Sequence, residues 1–207
     1  MKIVDLGRVA YKAALELQLK AVKNYTEPVI YICEHDPPVY TAGKRLLNWA
    51  EESKEAEGLR ALGAETFSTN RGGLITWHGP GQLTVYPIMD VTAYGLKRHV
   101  HFLEDLIIEL GNKCGVEAER MRDIGVFTLN TKRKFGFVGV AQAHGISHHG
   151  FSVNVCNDLA WFEKIVPCGL VDIKVTSLLE EARDKALISV DHVKRVLSDI
   201  LQRPIES

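Results

Sequence analysis

The sequence predicts a single α+β domain in which helices pack on a largely antiparallel or mixed sheet. Amphipathic stripes of helical period occur at 11–23 and 96–110, and short β-rich runs occur between and after them, at 29–32, 83–88, 125–129, 135–140 and 151–155. No repeat, low-complexity tract or interdomain linker interrupts the 207 residues, so one domain over 1–207 is expected.

Taken in order, Leu15, Leu19 and Val22 at i, i+4 and i+7 predict a helix over 11–23 leading into a strand from Val29, so the chain opens helix then strand. Pro37-Pro38 ends that strand, because proline brings no amide donor to a ladder. Residues 51–62 read as helix up to Gly63, 65–69 as extended, and the glycine-rich 71–81 as loop. A strand at 83–88 precedes the helix at 96–110, whose stripe is Val100, Leu103, Ile107 and Leu110 and whose end is set by Gly111 and Gly115. The runs 125–129 and 135–140 are joined by the hairpin-length Asn130-Thr131-Lys132-Arg133, and 151–155 adds another strand. Helices at 176–182 and 190–201 close the chain, with Ser189 as N-cap of the last.

Composition narrows the function classes. At 46% hydrophobic and 25% charged the chain can bury a real core, while 25 Lys plus Arg against 26 Asp plus Glu give no overall field to draw nucleic acid or a membrane. Lys44-Arg45, Lys97-Arg98 and Lys132-Arg133-Lys134 remain as local clusters able to dock an acidic protein. Cys33, Cys114, Cys156 and Cys168 include no C-x-x-C pair, which fits a reducing compartment. No apolar run approaches the roughly 20 residues of a membrane span, and MKIVDLGR lacks the apolar region of a secretory signal, so an intracellular protein is expected.

The densest chemical signal is the segment 71–82, where four glycines and a proline interleave with Arg71, Thr76, His78 and Gln82. Glycines permit positive φ and close approach of main-chain N–H groups to an anion or carbonyl oxygen. Its spacing is neither that of a P-loop nor that of a dinucleotide fingerprint, and a tight structural turn is the plain alternative. Pro167-Cys168-Gly169 frames a thiol for presentation, whereas Cys33, Cys114 and Cys156 lie in apolar surroundings that suit small buried hydrophobes. A nucleophilic thiol needs a base or cation beside it; the candidates are His78, His149 and Lys134, the last heading an apolar run that would desolvate its amine.

These residues together resemble the lipoyl(octanoyl) transferases, the LipB-type enzymes. The resemblance rests on Arg71-Gly72-Gly73-x-x-Thr76-x-His78-Gly79-Pro80-Gly81-Gln82, on Lys134 with Gly139-Val140, on His149-Gly150, on Asn154, and on Pro167-Cys168-Gly169 followed by Thr176-Ser177. It implies a fold like that of biotin and lipoate protein ligases, Cys168 as acyl-thioester nucleophile and Lys134 as the group that lowers its pKa. It further implies substrate contacts along Arg71, Gly72, Gly73, Leu74, Ile75, Thr76, Trp77 and His78, at Phe137, Val138 and Gly139, and at His149, Gly150, Phe151 and Ser152. No metal or cofactor is implied; the implied donor is octanoyl-acyl carrier protein and the implied acceptors are lipoyl domains of 2-oxoacid dehydrogenase E2 subunits and the glycine cleavage H protein. A monomer is expected, in the mitochondrial matrix on the strength of the Leu6-Gly7-Arg8-Val9 opening, with a bacterial-type cytoplasm as the alternative. The family's usual arginines are replaced by Ala141 and His144. Within the same fold, an ATP-dependent lipoate ligase would not need Cys168; a cysteine hydrolase or a carrier-binding protein would use the pocket differently.

Overall fold

Strand alternation sorts this chain into two sheets. The computed structural model describes residues 2–165 and 174–202. Its strands are β1 (Lys2–Val9), β2 (Val29–His35), β3 (Val39–Ala42), β4 (Glu65–Ser68), β5 (Ile75–His78), β6 (Gln82–Ile88), β7 (Ala118–Arg120), β8 (Val126–Thr128), β9 (Lys134–Ala143) and β10 (Ile146–Asn154). Its helices are α1 (Tyr11–Lys23), α2 (Trp49–Glu52), α3 (Lys54–Ala61), α4 (Gly95–Lys113), α5 (Leu178–Glu181) and α6 (Val190–Leu201). The larger sheet runs β1-β2-β6-β10-β9-β8-β7, antiparallel except for the parallel β1/β2 pair. The smaller runs β4-β3-β5.

One face of the larger sheet presents Ile30, Ile32, Leu83, Val85, Phe151 and Val153 to Leu103, Ile107 and Leu110 of α4 and to Val193 and Leu197 of α6, all essentially buried. Here the expected stripe of α4 faces the core, as its period requires. The helix runs through Gly111, whose missing Cβ admits the Phe135 ring, and ends at Gly115, which takes φ +78°. Ser189 caps α6 by accepting from the His192 amide. The β9–β10 hairpin turns on His144-Gly145, both at positive φ, the geometry that matches the twist of a two-residue hairpin.

The structure corrects several expectations. A strand, β1, precedes the first helix and pairs parallel to β2. The buried face of α1 is Tyr11, Ala14 and Gln18, while Leu19 is largely exposed. Residues 51–62 are two helices, because Ser53 leaves helical geometry to cap α3 through the Glu55 amide. The segment 71–81 is not all loop, since β5 lies within it and pairs with β3. Strand β10 begins at Ile146, five residues before the expected start. Cys33 and Cys114 are buried, whereas Cys156 is exposed just beyond the end of β10.

Candidate active site

A cavity lies between the smaller sheet, the polar face of the larger sheet and α1. The period of two in β5 divides its side chains: Thr76 and His78 line the cavity, while Ile75 and Trp77 point away into a second core with Phe162 and Ile165. Phe137, Val138 and Gly139 of β9 line it too, as do His149, Gly150, Phe151 and Ser152 of β10. Arg71 and Gly73 complete its rim from the glycine-rich segment, whereas Gly72 and Leu74 contribute main-chain carbonyls to Arg71 rather than surface to the cavity. Of the stretch 71–78, Arg71, Gly73, Thr76 and His78 thus line the cavity, whereas Gly72, Leu74, Ile75 and Trp77 do not.

Arg71 organises this loop. Its guanidinium is buried and donates to the Thr41 carbonyl at 2.5 Å, the Thr41 hydroxyl at 2.8 Å, the Gly72 carbonyl at 2.9 Å and the Leu74 carbonyl at 2.9 Å. Such a fork satisfies carbonyls that a tight loop would otherwise leave without donors. Gly43 is required beside it, because a Cβ there would collide with the Gly73 carbonyl.

His78 and His149 line the cavity, His35 packs edge-on against His78, and burial keeps all three uncharged. His35 is pushed down to about 4 by burial, against a bond to the Val9 carbonyl that opposes the shift. Burial lowers His78 to about 3, with His35 adding to the shift, and lowers His149 to about 3, with His148 and Arg71 adding. The tautomers follow from their partners. Gln82 donates from Nε2 to Asn154 Oδ1 at 2.9 Å, so its Oε1 accepts from His78 Nδ1 at 2.7 Å and the imidazole Nε2 of His78 is left as an acceptor. His149 holds a left-handed φ of 58°, fixed by Gln18 Oε1, which accepts its amide N–H at 2.9 Å, and by Asn70 Oδ1 at 2.7 Å from its Nε2. The hydroxyls of Tyr11, Thr76, Thr84 and Ser152 line the cavity and are buried without a hydrogen-bond partner among the described residues, so the cavity is built for an occupant with acceptor or donor atoms of its own.

Lys134 starts β9 beside this cavity. It is 3% exposed, and its Nζ donates to the Ile124 carbonyl at 2.6 Å and lies over the rings of Phe127 and Phe137, 5.4 and 5.1 Å from their centroids. Phe137 is shared between the amine and the cavity. The β8/β9 register shifts between Val126 and Phe127, and this irregularity accompanies the placing of Lys134 and Phe137, three residues apart, around the same point. Gly125, at φ +124°, is the close neighbour of the amine: a Cβ there would meet Lys134 Cε at 2.5 Å.

Cys168 lies outside the described residues. The chain on either side is anchored at this site. Ile165 is buried in the second core with Phe137, and beyond the segment the Lys134 amide donates to the Lys174 carbonyl at 2.8 Å while the Thr176 amide donates back to the Lys134 carbonyl at 2.9 Å. Asn154 Nδ2 donates to the Thr176 carbonyl at 2.9 Å, so a buried polar chain runs from His78 through Gln82 and Asn154 to the segment that follows Cys168. Tyr11, Thr41, Thr84 and Tyr86 also line the cavity. Nothing in their local sequence singles them out; strand pairing and the seating of α1 bring them there.

Among the described residues, no group of three or more His, Cys, Asp or Glu is arranged to hold a metal ion. None of the described helices is long and apolar enough to cross a membrane.

By its backbone path the domain shares the fold of lipoate-protein ligases: lipoate-protein ligase A, solved with ATP bound, matches it with a TM-score of 0.73 at 15% identity, over 95% of this chain and 81% of that one. The chain belongs to the family described as the lipoyl protein ligase A/B catalytic domain, whose model matches residues 10–202. Among its relatives, the Danio rerio protein named mitochondrial octanoyl-[acyl-carrier-protein]:protein N-octanoyltransferase LIPT2 is 38% identical over 191 residues, 87% of this chain and 82% of that protein. The octanoyltransferase of Geobacter sulfurreducens is 38% identical over 189 residues, covering 88% and 76% respectively.

Proposed function

We propose that this chain is an octanoyltransferase that takes octanoyl from acyl carrier protein onto Cys168 and passes it to the ε-amine of a lysine on a lipoyl domain of an E2 subunit or of the H protein. The observation that carries the reading is the burial of the Lys134 amine against Phe127 and Phe137 at the cavity wall, with the backbone on the far side of the Cys168 segment hydrogen-bonded to Lys134 itself. Five residues lie between Cys168 and Lys174, and a chain of six such steps spans up to roughly 20 Å, ample for the thiol to reach the amine.

Desolvation favours the uncharged amine of Lys134, whereas the Ile124 carbonyl and the two aromatic faces favour the ammonium. In this reading Lys134 is the group that takes and returns the proton. Lys134 accepts the proton of Cys168, and the thiolate attacks the thioester carbonyl of the donor. Hydroxyls of Thr76 and Ser152, buried and without a partner among the described residues, are donors available to the developing oxyanion. The carbon–sulfur bond to the carrier breaks, and the carrier thiolate takes the proton held by Lys134. In the second half the uncharged acceptor amine attacks the Cys168 thioester, the amine's proton passes through Lys134 to the departing Cys168 sulfur, and an amide forms. The uncharged His78, with Nε2 open as an acceptor, is suited to orient the incoming N–H.

We place the reaction in the mitochondrial matrix or a bacterial-type cytoplasm, with the protein acting as a monomer; the free thiols of Cys33, Cys114 and Cys156 accord with a reducing compartment. Because one activated acyl bond is exchanged for another, transfer needs no ATP. Mixing the protein with octanoyl-carrier protein and a lipoyl domain, without nucleotide, should give octanoyl-lysine on the lipoyl domain by mass spectrometry. A requirement for ATP and free octanoate would favour ligase chemistry, and release of free octanoate in place of amide would favour a hydrolase.

A further inference from the structure

Beyond the cavity, a second concavity lies between the first turns of α4 and the loop 121–125, and shares no lining residue with the first. Its base is fixed by Glu104, which is buried, accepts from the Gly125 amide at 2.9 Å and pairs with Arg120 at 3.2 Å. Its upper side is apolar and open, with Met121 46% and Ile124 59% exposed. Lys97 and Arg122 line it and make no ion pair among the described residues. That sets it apart from the basic run at 132–133, where Lys132 is matched by Glu119 and Arg133 by Glu180 and Glu181. The groove also touches the site through one bond, since the carbonyl of exposed Ile124 is the acceptor of Lys134 Nζ.

We propose that this groove docks the donor: an acyl carrier protein presenting a helix whose apolar ridge is flanked by carboxylates. The inference rests on the octanoyltransferase reading and names where its first substrate binds. An amphipathic helix seats its apolar side on Met121 and Ile124 while its carboxylates meet Lys97 and Arg122. The groove is assigned to the donor because its exposed apolar surface and its cations suit such a helix, and because it shares no lining residue with the cavity, at which the acceptor lysine must arrive. Contact with the loop that holds the Lys134 amine also ties carrier binding to the group that activates the thiol.

The test is the charge reversal Lys97→Glu together with Arg122→Glu in the full chain, read by titrating octanoyl-carrier protein for binding and by steady-state transfer. The expected result is binding of the octanoyl-carrier weakened at least tenfold, a matching rise in KM for that donor, and unchanged kinetics with octanoyl-pantetheine as a small thioester donor, which also shows the fold intact. Raised salt should weaken wild-type binding and leave the variant little affected. Carrier binding within twofold of wild type overturns the proposal, as does a rise in KM for the lipoyl domain alone. Binding that depends on Lys97 and Arg122 without any octanoyl transfer by wild type would sink the octanoyltransferase reading while leaving the docking surface standing.

Discussion

Lys134→Met should slow formation of the octanoyl-enzyme by two to four orders of magnitude, the range typical for loss of a positioned acid–base group, while leaving the fold intact. Methionine keeps the length and apolar body of the side chain between Phe127 and Phe137 but can neither accept nor return a proton. The effect should divide in a diagnostic way. If Lys134 moves protons in both halves of the reaction, single-turnover acylation and transfer to the lipoyl domain both slow, and raising the pH recovers part of the acylation rate by ionising the thiol directly. Rapid-quench measurement of the acylated protein against pH checks this; a variant acylated at the wild-type rate at neutral pH removes Lys134 from the chemistry.

Acid should destabilise the protein well above the carboxylate range. His35, His78 and His149 are held uncharged, at about 4, 3 and 3, whereas in the unfolded chain they protonate near 6.5. The folded-state values are lowered, so the unfolded chain binds more protons, and the stabilisation is complete above about 6.5 and lost as pH falls toward about 4 for His35 and about 3 for His78 and His149. Each histidine can contribute up to roughly 1.4 kcal/mol per pH unit within that window, so a fall of a few kcal/mol between pH 6.5 and 5.5 is expected from the three together. Urea denaturation at pH 7.5, 6.5 and 5.5 measures it. A constant midpoint over that range would mean that the histidines are protonated at no cost, and that the buried, uncharged cluster described around the cavity is wrong.

How far the sequence reveals this protein depends on whether a segment's hydropathy and its burial agree. In α4 they do, and the stripe through Leu103, Ile107 and Leu110 is the buried face. In α1 they do not: the apolar Leu15, Leu19 and Val22 suggest one face, yet the helix covers the cavity and buries Tyr11, Ala14 and Gln18, with Gln18 engaged by the His149 amide. Strand β1 is a sheet edge whose side chains are half-buried or exposed, so Asp5, Gly7 and Arg8 hide its period. Strand β5 has only four residues, set between glycines that read as loop. The segment from Arg71 to His78 stands out by its composition as a candidate site, but which of its side chains face the cavity depends on β5, whose alternation turns Thr76 and His78 inward and Ile75 and Trp77 away. Tyr11 and Thr84 reach the cavity through tertiary packing alone.

Cys168 as the acyl carrier within the enzyme is the central claim, and the intact mass of the protein tests it most directly. Wild type and Cys168→Ala would each be incubated with octanoyl-acyl carrier protein in the absence of any acceptor and then weighed by mass spectrometry. The account predicts the gain of one octanoyl group on wild type, removed on adding a lipoyl domain, and none on Cys168→Ala, which should also fail to transfer. Octanoylation of the lipoyl domain by a Cys168→Ala protein that never gains mass would contradict it, and would mean that the acyl group passes directly from carrier to lysine.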